Sequence, residues 1–338
     1  MSKTVRVGVI GLGKIAERAH LPLFAAARGG QLVAASSSRA SARRAAQQRY
    51  ALERVYSDWR ELVASDGVDA VAICAPNDVH AEITFAALRA GKHVLVEKPM
   101  ATRASDAEQM LKLAKAQRKI LAVHHNLRFH PVALAGRTAL RRGAIGAVLG
   151  FEGVLCHRGP KGWAPRAAWF FDEKRVGGGV LMDLGVHTFD LLRYFLADAP
   201  KRMRAATVGA GEASGGSAEH YASCLLTLAT GAAGTITVSW RDSTYRNRWY
   251  FTGERGALEL DFTGKGLVTL HGPRGSKRLP LPGPRATKTA QQAFVDRILG
   301  KRAGASEPAS AWAEDGCTAL KLSLAALRAS RTDASVRL

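Results

Sequence analysis

The feature that most constrains the fold is a glycine motif placed directly after a short apolar run near the N-terminus. Val5–Ile10 predicts a buried parallel strand, and Gly11-Leu12-Gly13-Lys14-Ile15-Ala16 follows it and opens a predicted helix. Gly11 permits a tight turn, Gly13 lets the backbone approach a pyrophosphate, and Ala16 keeps the helix close to the sheet. The N–H groups at the start of that helix can hold an anion. The cofactor-binding candidates in this motif are Gly11, Gly13, Lys14 and Ile15.

Strands and helices alternate after this motif. The apolar runs that predict further parallel strands are Gln31–Ala35, Val68–Cys74, His93–Val96 and Ile120–His124. Short connections and helical segments between such runs are typical of a doubly wound parallel α/β sheet, so we predict a dinucleotide-binding Rossmann domain over residues 1–123. Mostly alternating runs follow, and they predict an α+β domain over residues 124–338 with an open, largely antiparallel sheet and closing C-terminal helices.

Composition excludes several classes of protein. The 338 residues exceed one ordinary core, and no apolar run reaches the ~18–20 residues of a membrane span. The chain begins with a strand, which leaves no room for a signal peptide, and its four cysteines show no metal or redox spacing. We therefore expect a cytoplasmic protein with reduced thiols and no membrane partner. The net charge of +21 is spread along the chain, which favours steering of an anionic substrate or cofactor over nucleic-acid binding.

The segment after the second predicted strand bears on the choice of nicotinamide cofactor. NAD favours an acidic residue here, but the sequence reads Ser36-Ser37-Ser38-Arg39 with Arg43 and Arg44 one turn on. Hydroxyls and a guanidinium suit a 2′-phosphate, so NADP is favoured over NAD, with Ser37, Ser38 and Arg39 as candidate contacts. The alternative is that these are solvated residues at a loop and helix start.

A glycine run in the second half, Gly177-Gly178-Gly179, leads into an apolar segment. If that segment is helical, Asp183, His187 and Asp190 lie at i, i+4 and i+7 and share one face. Polar groups on a buried helix need partners, and such partners are often a substrate. The alternative is a structural helix near a turn, with His187 satisfied by a neighbouring carboxylate.

Two further motifs complete the pattern. Ala75-Pro76-Asn77-Asp78-Val79-His80 follows the third of these strands, and the fourth leads into Glu97-Lys98-Pro99. Together with the N-terminal glycine motif and Gly177–Asp190, they resemble the Gfo/Idh/MocA family of glucose–fructose oxidoreductase, inositol dehydrogenase and rhizopine catabolism proteins. The resemblance covers essentially the whole chain. The Glu-Lys-Pro and Gly-Gly-x-x-x-Asp-x-Gly-x-His-x-x-Asp motifs, in this order, are specific to that family.

The resemblance implies hydride transfer between a nicotinamide and a carbinol carbon, usually on a sugar or cyclitol. It also implies that the open sheet of the C-terminal domain forms an oligomer interface, so we expect a homodimer or homotetramer. Lys98 matches the lysine of Glu-Lys-Pro, and Asp183 and His187 match the family's acid and histidine, so these three are the predicted catalytic residues. The remaining predicted cofactor contacts are Ala75, Pro76, Asn77, His80, Glu97 and Lys98.

The predicted roles follow from the chemistry of alcohol oxidation. His187 suits proton exchange with the substrate oxygen because an imidazole titrates near neutrality. Asp183 can orient that ring or hold a substrate hydroxyl, and Lys98 supplies positive charge where negative charge develops. The residues leave open whether Lys98 or His187 makes the final proton transfer. A structural ion pair of Lys98 with Glu97 or with a helix end is the alternative. A cis peptide at Pro99 is a hypothesis for how Lys98 is aimed.

Two further segments supply candidates for substrate binding. Arg128 resembles the arginine of the family's Asn-x-Arg segment and could hold a hydroxyl, carboxylate or phosphate, while Trp163 could stack on a sugar ring. Surface loop residues are the alternative for the segment around Trp163. The predicted substrate-binding residues are Arg128, Trp163, Asp183 and His187. The three histidines between His124 and His130 match no common metal spacing, so no metal is expected.

Two other functions remain open at this point. Some relatives cleave glycosides by transient oxidation with a retained NAD, and one transcriptional repressor shares the fold as a non-catalytic sensor of the dinucleotide. The intact set of Lys98, Asp183 and His187 argues against a non-catalytic regulator.

Overall fold

The computed structural model describes residues 4–160, 168–209, 218–283, 287–301 and 313–338. The chain divides into two compact units. The first contains Met1–Asn126 and Lys288–Cys317, and the second contains Leu127–Thr287 and Thr318–Leu338. No helix in the described ranges is long and apolar enough to cross a bilayer.

The first unit is built on a six-stranded parallel sheet in the order β3-β2-β1-β4-β5-β6. Its strands are β1 (Val5–Ile10), β2 (Gly30–Ser36), β3 (Arg54–Tyr56), β4 (Ala70–Ile73), β5 (His93–Val96) and β6 (Leu121–Val123). Its helices include α1 (Leu21–Ala25), α2 (Ala40–Tyr50), α3 (Trp59–Ala64), α4 (His80–Arg89) and α5 (Ala104–Ala116). A π-helical turn, Ala16–His20, precedes α1, and a 3-10 turn, Asn77–Val79, precedes α4. The predicted Rossmann fold is confirmed, since the strand order is that of a doubly wound sheet.

The second unit contains a nine-stranded sheet in the order β14-β13-β12-β11-β7-β10-β9-β8-β15. Its strands are β7 (Val148–Cys156), β8 (Pro200–Gly209), β9 (Glu219–Leu228), β10 (Ala233–Ser239), β11 (Arg246–Gly253), β12 (Gly256–Asp261), β13 (Leu267–Gly272), β14 (Gly275–Arg278) and β15 (Val336–Arg337). The β7–β10 pairing is parallel, and the remaining pairings are antiparallel. This confirms the predicted open, mostly antiparallel sheet.

The helices in the remainder of the chain are α6 (Pro131–Arg141), α7 (Glu173–Val176), α8 (Val186–Leu196), α9 (Ala290–Ile298) and α10 (Ala313–Thr332). A π-helical turn, Leu181–Gly185, leads into α8. Helix α8 packs on β7 and α6 packs on β12, so they cover one face of the second sheet. Strand β9 shows the resulting alternation, because Cys224 and Leu226 are buried while Tyr221 and Leu225 are exposed.

The division of the chain differs from the sequence expectation at the C-terminal end. The expectation assigned all of residues 124–338 to the second domain, whereas Lys288–Cys317 groups with the first unit. The physical reason lies in α9, which buries Phe294 and Val295 in the same core as Val7 and Phe24. The apolar face of this helix therefore serves the parallel sheet.

Candidate active site

The glycine motif has the geometry that a dinucleotide phosphate requires. Gly11 has φ of +88°, and a Cβ there would lie 2.8 Å from the backbone nitrogen of Ala75. A Cβ on Gly13 would meet no atom of the described residues within 4 Å, so open space lies at the start of the helix. Lys14 lies 4.0 Å from Glu17, and Ile15 packs against the core. These residues fit a nicotinamide dinucleotide, because backbone N–H groups and open space meet at this turn.

Two arginines order the chain after β2. Nη2 of Arg39 donates to the carbonyl oxygen of Leu12, inside the glycine motif. Nη1 of Arg43 donates to the carbonyl oxygens of Ser37 and Ser38, at 2.6 and 3.1 Å. The structure thus brings Ser37, Ser38 and Arg39 to the glycine motif and puts positive charge beside it.

His80 links the two other motifs of the first unit. Its ring is fully buried, with Nε2 2.8 Å from the carbonyl oxygen of Ala75 and Nδ1 2.8 Å from that of Pro99. Burial lowers the pKa of His80, although both carbonyls act to raise it. The segments after β4 and β5 are therefore tied together, with Pro76 and the buried Asn77 on the first of them. A contact of His80 with the cofactor would require these contacts to open, and it stays a prediction.

The Glu97-Lys98-Pro99 motif follows β5 and contains a cis peptide bond between Lys98 and Pro99. Oε2 of Glu97 accepts a hydrogen bond from the backbone nitrogen of Lys98 at 3.2 Å. Oε1 accepts from Nε2 of His20 at 2.7 Å and from Nδ1 of His124 at 2.6 Å. Burial alone would raise the pKa of Glu97, but His124 and His20 hold it well below its usual range.

This buried trio contains metal-ligating residue types, and their ligand atoms lie within 4.8 Å of one another. Two ligands of a tetrahedral zinc ion, each about 2.0–2.1 Å from the metal, stand more than about 3 Å apart. The nitrogen–oxygen distances of 2.6 and 2.7 Å are shorter than that and are those of charge-assisted hydrogen bonds. The trio is therefore a hydrogen-bonded group centred on Glu97.

The glycine run of the second unit permits a close approach of two chain segments. Gly177 has φ of +86°, and a Cβ on Gly179 would overlap the backbone oxygen of Glu219. Oε1 of Glu219 accepts from the backbone nitrogen of Leu181 at 2.9 Å and so caps the π-helical turn. Burial raises the pKa of Glu219. Sequence reasoning missed this residue, because it starts a distant strand and has no local signal.

Asp183 is buried in the π-helical turn and has partners that sequence reasoning did not identify. Its Oδ2 accepts from Nε1 of Trp240 at 2.9 Å and lies 3.9 Å from Nε2 of His157. Nδ1 of His157 accepts from the backbone nitrogen of Gly159 at 2.8 Å, so a neutral His157 carries its proton on Nε2, facing Asp183. The pairing of Asp183 with His187 stays a prediction. His187 is half-buried in α8 and is more accessible than Asp183.

Asp190 forms a buried ion pair with Arg128. Nε and Nη2 of Arg128 donate to the two carboxylate oxygens at 2.8 and 2.6 Å, and the guanidinium lies 5.1 Å from the ring centre of Tyr194. This bidentate pair fixes Asp190 one turn beyond His187. Arg128 is only 2 % exposed, and its guanidinium is already bound by Asp190. Its contact with substrate therefore stays a prediction.

The segment carrying these acids is not the uniform α-helix that the sequence suggested. Asp183 belongs to the π-helical turn Leu181–Gly185, whereas His187 and Asp190 belong to α8. Asp183 and Asp190 hydrogen-bond to different partners, Trp240 and Arg128. Trp163, a predicted substrate contact, lies outside the described residues.

Comparison with known proteins agrees with this geometry. Residues 5–125 match the family model described as "Oxidoreductase family, NAD-binding Rossmann fold", and residues 134–259 match the GFO/IDH/MocA C-terminal domain. The chain is 31% identical to 1,5-anhydro-D-fructose reductase of Ensifer adhaerens, over 97% of this chain and 96% of that protein. It is 30% identical to myo-inositol 2-dehydrogenase of Thermotoga maritima, over 99% and 98%.

A solved structure shares the fold. The aldose–aldose oxidoreductase of Caulobacter crescentus superposes with a TM-score of 0.86 at 24% identity, over 99% of this chain and 100% of that one. On these matches, the chain belongs to the Gfo/Idh/MocA oxidoreductase family. It is an NAD(P)-dependent dehydrogenase or reductase that acts on CH–OH groups, with a nicotinamide cofactor on its first unit.

Proposed function

We propose that this enzyme transfers hydride between NADP and a secondary alcohol or ketone carbon of a sugar, a sugar derivative or a cyclitol. The observation that carries the proposal is the retention of Lys98, Asp183 and His187 in a chain whose relatives include a reductase of an anhydrosugar and a dehydrogenase of inositol. Glycoside cleavage by transient oxidation is the less favoured function for this enzyme, because both of these relatives are named as a reductase or a dehydrogenase.

Each proposed catalytic group has a chemical task. The nicotinamide, when bound, accepts or donates the hydride. His187 exchanges the proton of the substrate hydroxyl, which suits a half-buried imidazole. Asp183 holds a substrate hydroxyl or orients His187, and the hydrogen bond from Trp240 supports its carboxylate. Lys98 provides positive charge for the developing alkoxide.

A screen at 340 nm with both cofactors against sugars, cyclitols and sugar nucleotides tests the proposal. We expect turnover of at least one such compound, with absorbance changing as the nicotinamide is oxidised or reduced. A stable protein that turns over none of them, while releasing and rebinding the cofactor normally, would contradict it. Cofactor retained through purification, with glycoside cleavage and no net redox change, would instead support the glycosidase reading.

NADP is the proposed cofactor because of the charge at the end of β2. Arg39 and Arg43 supply guanidinium groups around Ser37 and Ser38, and the sequence offers no carboxylate from Ser36 to Arg44. A 2′-phosphate gains charge-assisted hydrogen bonds in such a setting, whereas a 2′-hydroxyl gains less. We expect Arg39→Ala to weaken NADPH binding at least ~10-fold and NADH binding less than ~3-fold, on the scale of one or two charge-assisted bonds.

Titration of cofactor fluorescence measures both affinities directly. Arg49→Ala is the matched control, since Arg49 lies near the other end of α2 and should change neither affinity by more than ~2-fold. Equal losses of NADPH and NADH binding in Arg39→Ala would refute the assignment of NADP.

We also propose self-association through the outer face of the second sheet. Leu225, Thr235, Glu152 and Tyr250 stand in register across four strands of this face, and Val208 is opposite Tyr221 beside them. Exposed apolar side chains among them, such as Leu225 at 53 %, favour a second copy of the chain as the partner. Leu225→Arg should lower the mass measured by light scattering from a dimer or tetramer, and a monomeric parent protein would overturn the proposal.

Compartment and charge complete the proposal. The cysteines are free and buried, which suits the reducing cytoplasm. The net charge of +21 would speed the encounter with anionic cofactor or substrate. The rate constant for NADPH binding should then fall as salt rises, and a rate unaffected by salt would contradict this steering.

A further inference from the structure

Glu97 and three other buried side chains from distant parts of the first unit form one hydrogen-bonded group. His20 ends the π-helical turn after the glycine motif, His124 follows β6, and Gln291 lies in α9. None of the four is more than 6 % exposed. Glu97 directly precedes Lys98 and accepts a hydrogen bond from its backbone nitrogen. We name these residues, Glu97, His20, His124 and Gln291, the Glu97 cluster.

The hydrogen bonds of the cluster determine which nitrogen of each imidazole carries a proton. A carboxylate oxygen only accepts, so Nε2 of His20 and Nδ1 of His124 carry the protons that they donate to Glu97. Nε2 of His124 lies 3.1 Å from the side-chain amide nitrogen of Gln291, and Oε1 of the same amide is buried with no hydrogen-bond partner among the described residues. Nδ1 of His20 is also buried and has no hydrogen-bond partner among the described residues. A proton there would have no acceptor, so the ring of His20 is neutral.

Glu97 also interacts electrostatically with Cys74 and His80. Burial raises the pKa of the Cys74 thiol well above its usual range. Both ring nitrogens of His80 face backbone carbonyl oxygens, which only accept. Lys98 follows Glu97 in the chain, and its backbone nitrogen donates to Oε2 of Glu97.

We propose that Glu97 is a positioning residue for Lys98, and that His20, His124 and Gln291 hold it as an anion in one orientation. This inference rests on the proposed role of Lys98 in hydride transfer. Gln291 contacts the far side of the His124 ring and so keeps Nδ1–H aimed at Glu97. A residue of α9, close to the C-terminal end of the chain, thereby governs the segment that carries Lys98.

The protonation of His124 is the first test. In protein labelled with ¹⁵N-histidine, with the His124 signals assigned by their loss in His124→Gln, we expect the Nδ1–H proton of His124 to be visible because it is held in a short hydrogen bond to Glu97. In Gln291→Leu the ring loses its second polar contact, so that signal should broaden or shift. A proton on Nε2 alone in the parent protein would overturn the proposal, because no proton would then face Glu97.

The reactivity of Lys98 is the second test and needs no turnover. Glu97→Gln keeps the shape of the side chain and removes its charge, which weakens the hydrogen bonds from His20, His124 and the backbone of Lys98. We expect the rate at which an amine-acylating reagent labels Lys98 at pH 7.5 to change at least ~3-fold, on the scale of losing one hydrogen bond. Peptide mass spectrometry measures this, with the exposed Lys115 as the internal reference. If Glu97→Gln does not fold, Gln291→Leu should still change the labelling of Lys98 at least ~3-fold, and unchanged labelling overturns the proposal.

Kinetics provide the third test, with a control from the same helix. Gln291→Leu should lower kcat about fivefold to tenfold and leave KM for the cofactor within about twofold, on the scale of losing one hydrogen bond. Gln292 instead contacts the backbone of Arg28 and the side chain of Asp296, so Gln292→Leu should leave kcat within about twofold. Equal kcat losses in the two variants would show a merely structural effect. If no sugar or cyclitol is turned over, the proposed function fails, while labelling and NMR still decide the role of the cluster.

Discussion

Two arginine–aspartate pairs have the same contact distance, but the loss of the aspartate charge should lower the free energy of unfolding much more in the buried pair than in the exposed pair. Arg128 and Asp190 meet at 2.6 Å with side chains 3 % and 1 % exposed. Arg246 and Asp242 also meet at 2.6 Å, but with side chains 47 % and 19 % exposed. Asp190→Asn keeps the size of the side chain and leaves a buried guanidinium without its anion, which costs about 3–5 kcal/mol. Asp242→Asn weakens a solvated pair, which costs about 0–1 kcal/mol.

Urea unfolding of both variants measures the difference. Because the chain has two units, the transition of the second unit should be followed by tryptophan fluorescence in a background in which Trp59 and Trp312, the tryptophans of the first unit, are replaced by Phe. Asp190→Asn should move that transition to clearly lower urea, and Asp242→Asn should leave it almost unchanged. Similar shifts in the two variants would refute the reasoning that burial sets the energy of the pair.

Three further predictions concern the second unit and the buried histidines. Trp240→Phe removes the hydrogen-bond donor to buried Asp183. We therefore expect kcat/KM to fall about tenfold and the free energy of unfolding to fall by about 1–3 kcal/mol. Unchanged values of both quantities would contradict this prediction. Gly179→Ala should destabilise the fold by more than about 2 kcal/mol, because the new methyl group overlaps the Glu219 backbone. A melting temperature equal to that of the parent protein, measured by calorimetry, would contradict this prediction. Burial lowers the pKa of His20 and His80 in the folded protein, so the unfolded chain binds protons more readily once the pH falls below about 6.5. The unfolding free energy should then drop by up to about 1.4 kcal/mol per pH unit for each of the two histidines. An unfolding free energy that stays constant from pH 7.5 to 5 would contradict this prediction.

The parallel sheet could be predicted because each of its central strands is a local apolar run bounded by turn residues. Five of the six strands coincide with predicted runs. The sixth, Arg54–Tyr56, has only three residues and lies at the edge, where it is partly exposed and shows no periodic pattern. The importance of the two glycine motifs could also be predicted from the sequence, because Gly11 and Gly177 adopt the positive φ that glycine allows without strain.

The partners of the candidate site residues could not be predicted in the same way. Trp240 reaches Asp183 because β10 ends beside the π-helical turn, which depends on the strand order of the second sheet. Glu219 contacts the glycine run for a similar reason. The pairing of Arg128 with Asp190 joins residues far apart in sequence, so no local pattern predicted it, and the substrate role of Arg128 came from its resemblance to the family's Asn-x-Arg segment.

The most direct measurement of the central claim is the turnover of Lys98→Ala and His187→Ala on a substrate found in the screen. Lys115→Ala and His271→Ala are matched controls, because they remove the same groups from solvent-accessible positions of the two units. We expect kcat to fall at least ~100-fold in the first two variants and to stay within about twofold in the controls. Folded Lys98→Ala and His187→Ala proteins with near-normal kcat would contradict it.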